Sequence, residues 1–378
     1  MEFQLVSAFF PFISPFLFII MVLKVCRSHK ARNMIRRLPP GPWKLPIIGN
    51  MHQLVGSLPH HILRDLADIH GPLMHLQLGE VSTVVVSTPE AAKEILGTHD
   101  SIFAFRLLLL APEIISYGGA GIAFAPYGDY WRQMRKICGS VLLNSKRVES
   151  FQLIREEEVS HLLKFILANI GSPINLGEQI FSMTYGMTAR VAFANKCKEH
   201  EALITAVREG ADATGGFAVA DVFPSIKVLH VISGMRPKLE KIHKGLDEIL
   251  DNIVKDHKAT KTRGKDGAND LLSILLKLQE LGDLGDLAGA FCQDIFTAGN
   301  ETSSSTVEWA MSEMVKTPRL MKKAQVEVRQ VFGATGNVDE KGLQHLKFLK
   351  AASKETLRLH PPIPLLLPKE CSVVKAAR

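Results

Sequence analysis

Cysteine is scarce in this sequence and widely dispersed. The chain of 378 residues holds five, without a C-x-x-C pair or a Cys/His cluster at zinc-ligand spacing. They are Cys26, Cys138, Cys197, Cys292 and Cys371. This pattern excludes a small disulfide-stapled scaffold and a zinc finger. An odd number of scattered thiols is typical of a protein in a reducing compartment.

Charge is absent from the first apolar segment. Phe3–Leu23 is a run of 21 residues without a charged side chain, and at about 1.5 Å per residue a helix of that length spans the hydrocarbon core of a bilayer. The alternative is a cleaved signal peptide, which carries positive charge before its apolar run. Here Glu2 precedes the run and basic residues follow it. We therefore predict an uncleaved membrane anchor over residues 1–23, with the rest of the chain cytoplasmic.

Acidic residues are missing from the segment after the predicted anchor. Residues 24–37 contain six Lys and Arg side chains, which account for nearly all of the net charge of +7. The remainder of the chain is almost neutral, so the basic surface that nucleic-acid binding requires is absent and no nucleic-acid partner is predicted. With 46% hydrophobic residues, the chain can bury a sizeable core.

Proline is concentrated at one place. Four prolines fall within Pro39–Pro46, and each one stiffens the chain and prevents a helix. Residues 24–50 are therefore predicted to form a basic flank and a semi-rigid hinge that sets how the following domain meets the membrane. A plain linker is the alternative. The globular domain is predicted over 51–370.

Strand signals are few, and helical periodicity dominates. Leu73–Leu78 and Val81–Val86 flank Gly79-Glu80 and predict a hairpin. Thr88-Pro89 and Gly97 bound a short helix. Longer helices are predicted over 129–142, 145–170, 178–192, 199–213, 235–258, 268–280, 286–316, 318–332 and 343–359. His360-Pro361-Pro362 ends the series. The predicted class is mainly α with a small β portion near the start.

One long predicted helix contains Ala298-Gly299-Asn300-Glu301-Thr302. A glycine inside a helix costs about 1 kcal/mol relative to alanine, and close approach of a flat ligand to the backbone would explain it. The following carboxylate and hydroxyl are suited to proton delivery beside such a ligand. The alternative is a kinked helix with solvated polar residues.

Two further clusters contain charged groups at helical spacing. Trp131 and Arg135 are four residues apart, so an indole N–H and a guanidinium, both donors, could face one carboxylate or phosphate. An exposed basic turn beside a core tryptophan is the alternative. Glu355 and Arg358 form an i,i+3 pair, which is otherwise read as an ordinary surface ion pair.

The order and spacing of these features are more specific than any one of them. An apolar anchor, a Pro-Pro-Gly-Pro hinge, W-R-x-x-R-K, A-G-x-E-T and E-x-x-R-x-H-P-P follow one another along the chain. The chain resembles a microsomal cytochrome P450 of the plant type, and among these the oxygenases of sesquiterpenoids and related terpenoids. The resemblance extends from the hinge to Glu370.

The resemblance implies a haem-thiolate monooxygenase of the endoplasmic reticulum membrane with the cytochrome P450 fold. Such an enzyme hydroxylates a small apolar, here terpenoid, substrate with O2. Its implied partners are membrane lipid, the apolar substrate and an NADPH–cytochrome P450 reductase that supplies electrons.

Carried over by position, the resemblance also implies residue roles. Glu301 and Thr302 would relay protons for the oxygen chemistry. Glu355 and Arg358 would brace the core beneath the haem. The implied haem-propionate contacts are Arg106, Trp131, Arg135 and Lys369. The implied lining of the apolar substrate pocket is Ile295, Ala298, Gly299, Ile363, Leu366 and Leu367.

The sequence departs from the family in its last part. The loop whose cysteine thiolate ligates the haem iron is not found before Arg378, so no metal ligand is predicted in this chain. Cys292 and Cys371 stand at positions unsuited to replace it, and residues 371–378 are predicted to be a divergent tail. The chain as printed is expected to be inactive as an oxygenase. The alternative is a non-catalytic, haem-free remnant bound to the membrane.

Overall fold

A computed structural model describes residues 38–194, 200–214, 218–226, 228–262, 270–281, 288–333 and 338–371. The predicted anchor over 1–23, the basic flank as far as residue 37 and residues 372–378 of the predicted tail lie outside these ranges. Among the described residues, no helix is both long enough and apolar enough to cross a bilayer. The chain divides into two compact units. The first comprises Met1–Phe103 and Phe217–Ser233, and the second comprises Ala104–Gly216 and Gly234–Arg378.

Helices dominate the described part of both units, and the strands are short. In chain order the elements are α1 Pro59–His70, β1 Leu73–Leu78, β2 Val81–Val86, α2 Pro89–Lys93, β3 Phe105–Arg106, α3 Leu110–Ile115, α4 Asp129–Ile137, α5 Ser145–Ser150, α6 Gln152–Ala168, α7 Leu176–Phe193, α8 His200–Thr214, α9 Val219–Val222, α10 Leu229–Ile232, α11 Met235–Thr262, α12 Leu271–Glu280, α13 Ala288–Lys316, α14 Pro318–Phe332, α15 Lys347–Leu359 and β4 Lys369–Glu370. The prediction of a mainly α chain with a small β portion is confirmed.

The first unit is built on the β1–β2 hairpin. The two strands pair antiparallel, with Leu73 opposite Val86 and Leu78 opposite Val81, as the hairpin prediction requires. Met74, Leu76 and Leu78 on β1 form its apolar core together with other buried side chains. Those others are Val222 and Phe223, which come from the α9 segment and join this unit from far along the chain.

The Pro-rich segment is packed where the structure describes it, which corrects the prediction of a spacer. The His75 N–H donates to the Pro40 carbonyl at 2.9 Å. Asn50 is wholly buried, and its amide nitrogen donates to the Trp43 carbonyl at 2.9 Å while its amide oxygen accepts the Gln77 N–H at 2.8 Å. A buried amide with these partners holds residues 38–50 against β1.

The second unit is organised around α7 and α13, which pack against each other. The rings of Tyr185 and Phe193 on α7 both meet Phe296 of α13, at centroid distances of 4.9 and 5.8 Å. The Thr184 hydroxyl donates to the amide oxygen of Asn300, and both residues are buried. This apolar and polar contact fixes the rotation of α13, and with it the direction in which Glu301 and Thr302 point.

Several predicted helix boundaries need correction. The predicted helix 129–142 is continuous, but after Ile137 it changes to a π-helical turn over Cys138–Leu142. The predicted helix 145–170 is interrupted at Phe151, which leaves the α region. The predicted helix 343–359 begins as α-helix only at Lys347. Helices α1, α3, α9 and α10 were not predicted. The last three are short, and α1 buries only Ala67.

Candidate functional site

Thr302 lies in the middle of α13, where sequence analysis placed a proton-relay hydroxyl. Its Oγ1 donates to the Ala298 carbonyl one turn earlier at 2.8 Å. Thr306 repeats the pattern, with its Oγ1 donating to the Thr302 carbonyl at 2.7 Å. A hydroxyl whose proton is used in this way still has two acceptor lone pairs, so Thr302 can receive a proton donor from the solvent side of the helix.

Glu301 faces a polar depression formed with α7 and α8. Burial raises the pKa of its carboxyl, the nearby Arg208 guanidinium lowers it, and Asp212 raises it. Arg208 itself lies over the Phe181 ring at 3.8 Å. The depression is lined by Asn175, Gly177, Glu178, Phe181, Arg208, Ser304, Ser305 and Glu308. A carboxyl whose pKa is raised toward neutrality is suited to taking up and releasing protons.

Gly299 and Asn300 face α7. A Cβ atom at residue 299 would meet the Thr188 side chain at 3.6 Å, which is an ordinary packing distance. The missing side chain of Gly299 is therefore directed at a neighbouring helix in this structure, and its role in lining a substrate pocket stays a prediction. The buried amide of Asn300 was not singled out from the sequence, because only the packing of α13 against α7 explains it.

Arg106 and Lys369 are brought together by the short sheet β3–β4. The register places Arg106 directly opposite Lys369 and Phe105 opposite Glu370. Opposed residues of an antiparallel pair project from the same face, with Cβ atoms about 5 Å apart. Two cations side by side in this way attract an anion between them. Residues 106 and 369 were predicted to share a ligand, and the structure makes them neighbours although 263 positions separate them.

Trp131 lies close to the same sheet but is oriented differently from the prediction. The ring of Tyr127 lies between two other aromatic rings, with centroid distances of 6.5 Å to Phe105 of β3 and 5.6 Å to Trp131. The indole N–H donates to the Ile122 carbonyl at 3.1 Å, whereas Arg135 is exposed. In this structure the indole donor already has a backbone partner, and joint binding of an anion by the indole N–H and the Arg135 guanidinium stays a prediction.

The predicted substrate-lining residues after α15 join this corner. The Arg106 guanidinium donates to the Leu367 carbonyl at 3.3 Å. Ile363 and Leu366 are exposed, and Leu366 adopts a left-handed backbone with φ 57°, which is strained for a branched apolar residue. We call the set formed by Arg106, Lys369, Leu367 and Trp131 the cation corner.

Glu355 and Arg358 form the predicted ion pair, but its surroundings differ from the prediction. Two hydrogen bonds join them, at 2.8 Å from Nε and 2.6 Å from Nη2. The bonded guanidinium lowers the pKa of Glu355. The side chains are 55% and 67% exposed, so the pair does not brace a buried core among the described residues.

Two of the three described cysteines, Cys138 and Cys292, carry buried thiols. Burial raises the pKa of Cys292 to about 12, and burial also raises the pKa of Cys138. Both thiols therefore stay protonated at neutral pH, and a protonated thiol is neither a nucleophile nor a good metal ligand. The third described cysteine, Cys371, directly follows β4.

Sequence reasoning missed a second carboxyl on α13. Asp294 accepts the Ala123 N–H at 3.1 Å and also the Ile122 N–H. Its neighbour Gln293 donates to the Ile115 carbonyl at 3.0 Å. Asp294 could have been recognised as an acidic residue in an otherwise apolar helical stretch. A buried acid in such a place needs a partner.

The candidate site thus combines a long helix that carries Glu301 and Thr302 with a pair of cations on a short sheet. The family model for cytochrome P450 matches residues 39–373. The chain belongs to the cytochrome P450 family, whose members are haem-binding monooxygenases. The matched range begins within the Pro-rich segment, in agreement with its packing on β1.

Curated plant proteins are similar over nearly all of this chain. Premnaspirodiene oxygenase of Hyoscyamus muticus is 49% identical over 96% of this chain and 74% of its own length. Desmethyl-deoxy-podophyllotoxin synthase of Sinopodophyllum hexandrum is 50% identical over 96% of this chain and 73% of its own length. The 5-epiaristolochene 1,3-dihydroxylase of Nicotiana tabacum is 45% identical over 96% of this chain and 74% of its own length.

A solved structure supports the fold independently. A zebra fish cytochrome P450 with abiraterone superposes with a TM-score of 0.70 at 24% identity, covering 84% of this chain and 73% of that one. At this identity the likeness establishes the fold and leaves the substrate open.

Proposed function

We propose that this chain forms the substrate and oxygen side of a haem-dependent hydroxylase acting on a small apolar terpenoid. The observation that carries the proposal is the register of β3 and β4, which places Arg106 opposite Lys369, while Arg106 also donates to the Leu367 carbonyl in the segment that carries the apolar Ile363 and Leu366. A ligand with carboxylates at one edge and an apolar body fits such a corner. Haem has this form, and its propionates would be held by the two cations.

Haem supplies the oxygen-activating iron when it is bound, and the residues of this chain have other tasks. Glu301, whose pKa is raised by burial, is proposed to exchange protons near α13. The hydroxyl oxygen of Thr302 on the same helix can accept a hydrogen bond, and the proton is proposed to pass through this hydroxyl. Apolar residues beside the cation corner exclude water and orient a hydrocarbon-like substrate. Ile295 and Ala298 on α13 are proposed to belong to the same lining.

Terpenoid substrates are favoured by two of the relatives, named for premnaspirodiene and 5-epiaristolochene. The relative named for desmethyl-deoxy-podophyllotoxin is equally similar. Electrons are proposed to come from an NADPH–cytochrome P450 reductase.

Attachment to the endoplasmic reticulum membrane is proposed with the large domain cytoplasmic. The uncharged run Phe3–Leu23 supports it. Within the first unit, Trp43, Val55, Ile69 and Ile232 are 66%, 79%, 75% and 73% exposed. Protease added to sealed microsomes should digest the large domain, and full protection would contradict the orientation.

The chain alone is proposed to be inactive, and the raised thiol pKa values of Cys138 and Cys292 support this proposal, because they keep these two thiols neutral. Purified chain should take up haem weakly, and its reduced CO complex should lack the thiolate-type Soret band. A full-strength band would show that a cysteine of this chain ligates iron.

A chimera tests the positive part of the proposal. Residues 1–370 would be joined to the matching C-terminal remainder of the Hyoscyamus muticus relative. The chimera should bind haem and hydroxylate a sesquiterpene hydrocarbon in the presence of reductase and NADPH. A folded chimera that takes up haem but oxidises no terpenoid would refute the substrate class. One that takes up no haem would favour the non-catalytic, haem-free alternative.

A further inference from the structure

A single peptide group joins α13 to the indole of Trp131. The Ala123 N–H donates to the Asp294 carboxylate at 3.1 Å. The Ile122 carbonyl, at the other end of the same peptide bond, accepts the Trp131 indole N–H at 3.1 Å. A peptide group is planar and rigid, so a displacement at one end is transmitted to the other. Hydrogen bonds arranged in a chain also polarise one another.

The fit of Asp294 against this loop is close. It also accepts the Ile122 N–H, so the carboxylate holds two successive N–H groups. A Cβ atom at Gly121 would lie 2.2 Å from one carboxylate oxygen and 2.6 Å from its carbon. Residue 121 must therefore lack a side chain for the carboxylate to reach the two N–H groups. The approach is specific to this one acid and this one loop.

The direction of the indole N–H depends on that arrangement. While the Ile122 carbonyl is held in place, it takes up the only donor of Trp131. If the peptide group is released, the indole N–H loses its partner and becomes free to donate elsewhere. Tyr127 lies between this ring and Phe105 of β3 and contacts both rings, so two aromatic contacts connect the indole to the sheet that carries Arg106 and Lys369.

We propose that Asp294 is a positioning residue, which sets the direction of the Trp131 indole N–H through the peptide group between Ile122 and Ala123. Its effect on a bound propionate rests on the proposed function. The coupling between the two residues does not, and it can be measured on the chain without haem.

The titration of Asp294 gives the coupling a signature. Burial raises the pKa of this carboxyl, and the backbone N–H groups lower it in part. The titratable side chains recorded as interacting with it are Tyr130 of α4 and Cys138 of the following turn. Burial raises the pKa of both, so they remain neutral while Asp294 titrates. Protonation of Asp294 weakens its hold on the peptide group, because charge-assisted hydrogen bonds are the stronger ones.

The experiment uses the full chain labelled with 5-fluorotryptophan and followed by fluorine NMR. The sequence contains three tryptophans, and Trp131→Phe identifies the signal of interest. Between about pH 8 and pH 4 that signal should shift, with a midpoint above the ordinary aspartate value of about 3.9. In Asp294→Asn the titration should vanish, and the signal at neutral pH should already be displaced. Glu301→Gln removes another carboxyl of raised pKa on α13 and should leave the titration intact.

A second variant keeps the test decisive if Asp294→Asn does not fold. Gly121→Ala should push the carboxylate away and displace the Trp131 signal at neutral pH. A Trp131 signal that titrates identically in Asp294→Asn, or that is unmoved in folded Gly121→Ala, would overturn the proposal. Coupling observed in a chain whose chimera takes up no haem would refute the proposed function and leave this inference standing.

Discussion

Arg106 and Lys369 lie directly opposite each other across a two-residue antiparallel ladder, although 263 positions separate them in sequence. The ladder is too short to be stable by itself. The Arg106 side chain reinforces it by donating to the Leu367 carbonyl. A fold that holds two cations together at such a place favours an anion there, and this relationship gives the first prediction.

Arg106→Ala in the haem-binding chimera should weaken haem binding by about tenfold or more, since a hydrogen bond to a charged group contributes about 1.5–3 kcal/mol. Arg106→Lys should recover only part of this, because lysine lacks the planar two-donor geometry. Haem affinity is measured by transfer to apomyoglobin. The matched control is Arg132→Ala, an exposed arginine already paired with Asp129, which should leave haem affinity unchanged. Equal losses in both variants would contradict a specific role of residue 106.

Glu301→Gln should make the chain more stable at neutral pH. The folded-state pKa of Glu301 is raised by burial, so the folded protein binds the proton more tightly than the unfolded chain. Stability is then lost as pH rises from the unfolded value to the folded one. Glutamine removes this cost, and its advantage should disappear below about pH 4, the ordinary range of glutamate. Urea unfolding across this pH range measures the effect. An advantage that persists unchanged at low pH would have another cause.

Glu301 and Thr302 could be singled out from the sequence, and their catalytic role stays a prediction. A glycine, an acid and a hydroxyl in an apolar helix stand out without any knowledge of neighbours. The hairpin was predicted with its register because alternation and a Gly turn are local signals. Asp294 and the engaged indole of Trp131 depend on the loop over residues 116–128 folding back on α13. No local pattern encodes that contact. The packed Pro-rich segment was missed for the same reason, since proline content is local and the buried Asn50 network is not.

Thr302→Ala in the chimera should uncouple the reaction. NADPH consumption should continue, while peroxide replaces most of the hydroxylated product, because the hydroxyl that passes protons has been removed. Thr302→Ser should restore coupling, since it keeps Oγ. Thr306→Ala removes a hydroxyl that makes the same type of bond one turn later and serves as the matched control. The ratio of product to NADPH consumed is the measurement. Unchanged coupling in Thr302→Ala would remove this residue from the proton path.

Glu355→Ala should behave differently in the chain and in the chimera. In the chain the carboxylate bonds Arg358 at the surface, with the two side chains 55% and 67% exposed. An exposed pair of this kind contributes little to stability, so the urea midpoint should match that of Glu248→Ala, which breaks the exposed pair with Lys244.

In the chimera the added segment should cover the pair of Glu355 and Arg358 and turn it into the brace that the family resemblance implies. Removing one partner of a buried pair costs about 3–5 kcal/mol, a large part of the roughly 5–15 kcal/mol that stabilises a domain. Glu355→Ala should then lose haem while Glu248→Ala keeps it. If the chimera tolerates Glu355→Ala as well as the chain does, the brace assigned to Glu355 and Arg358 is wrong even though the family is right.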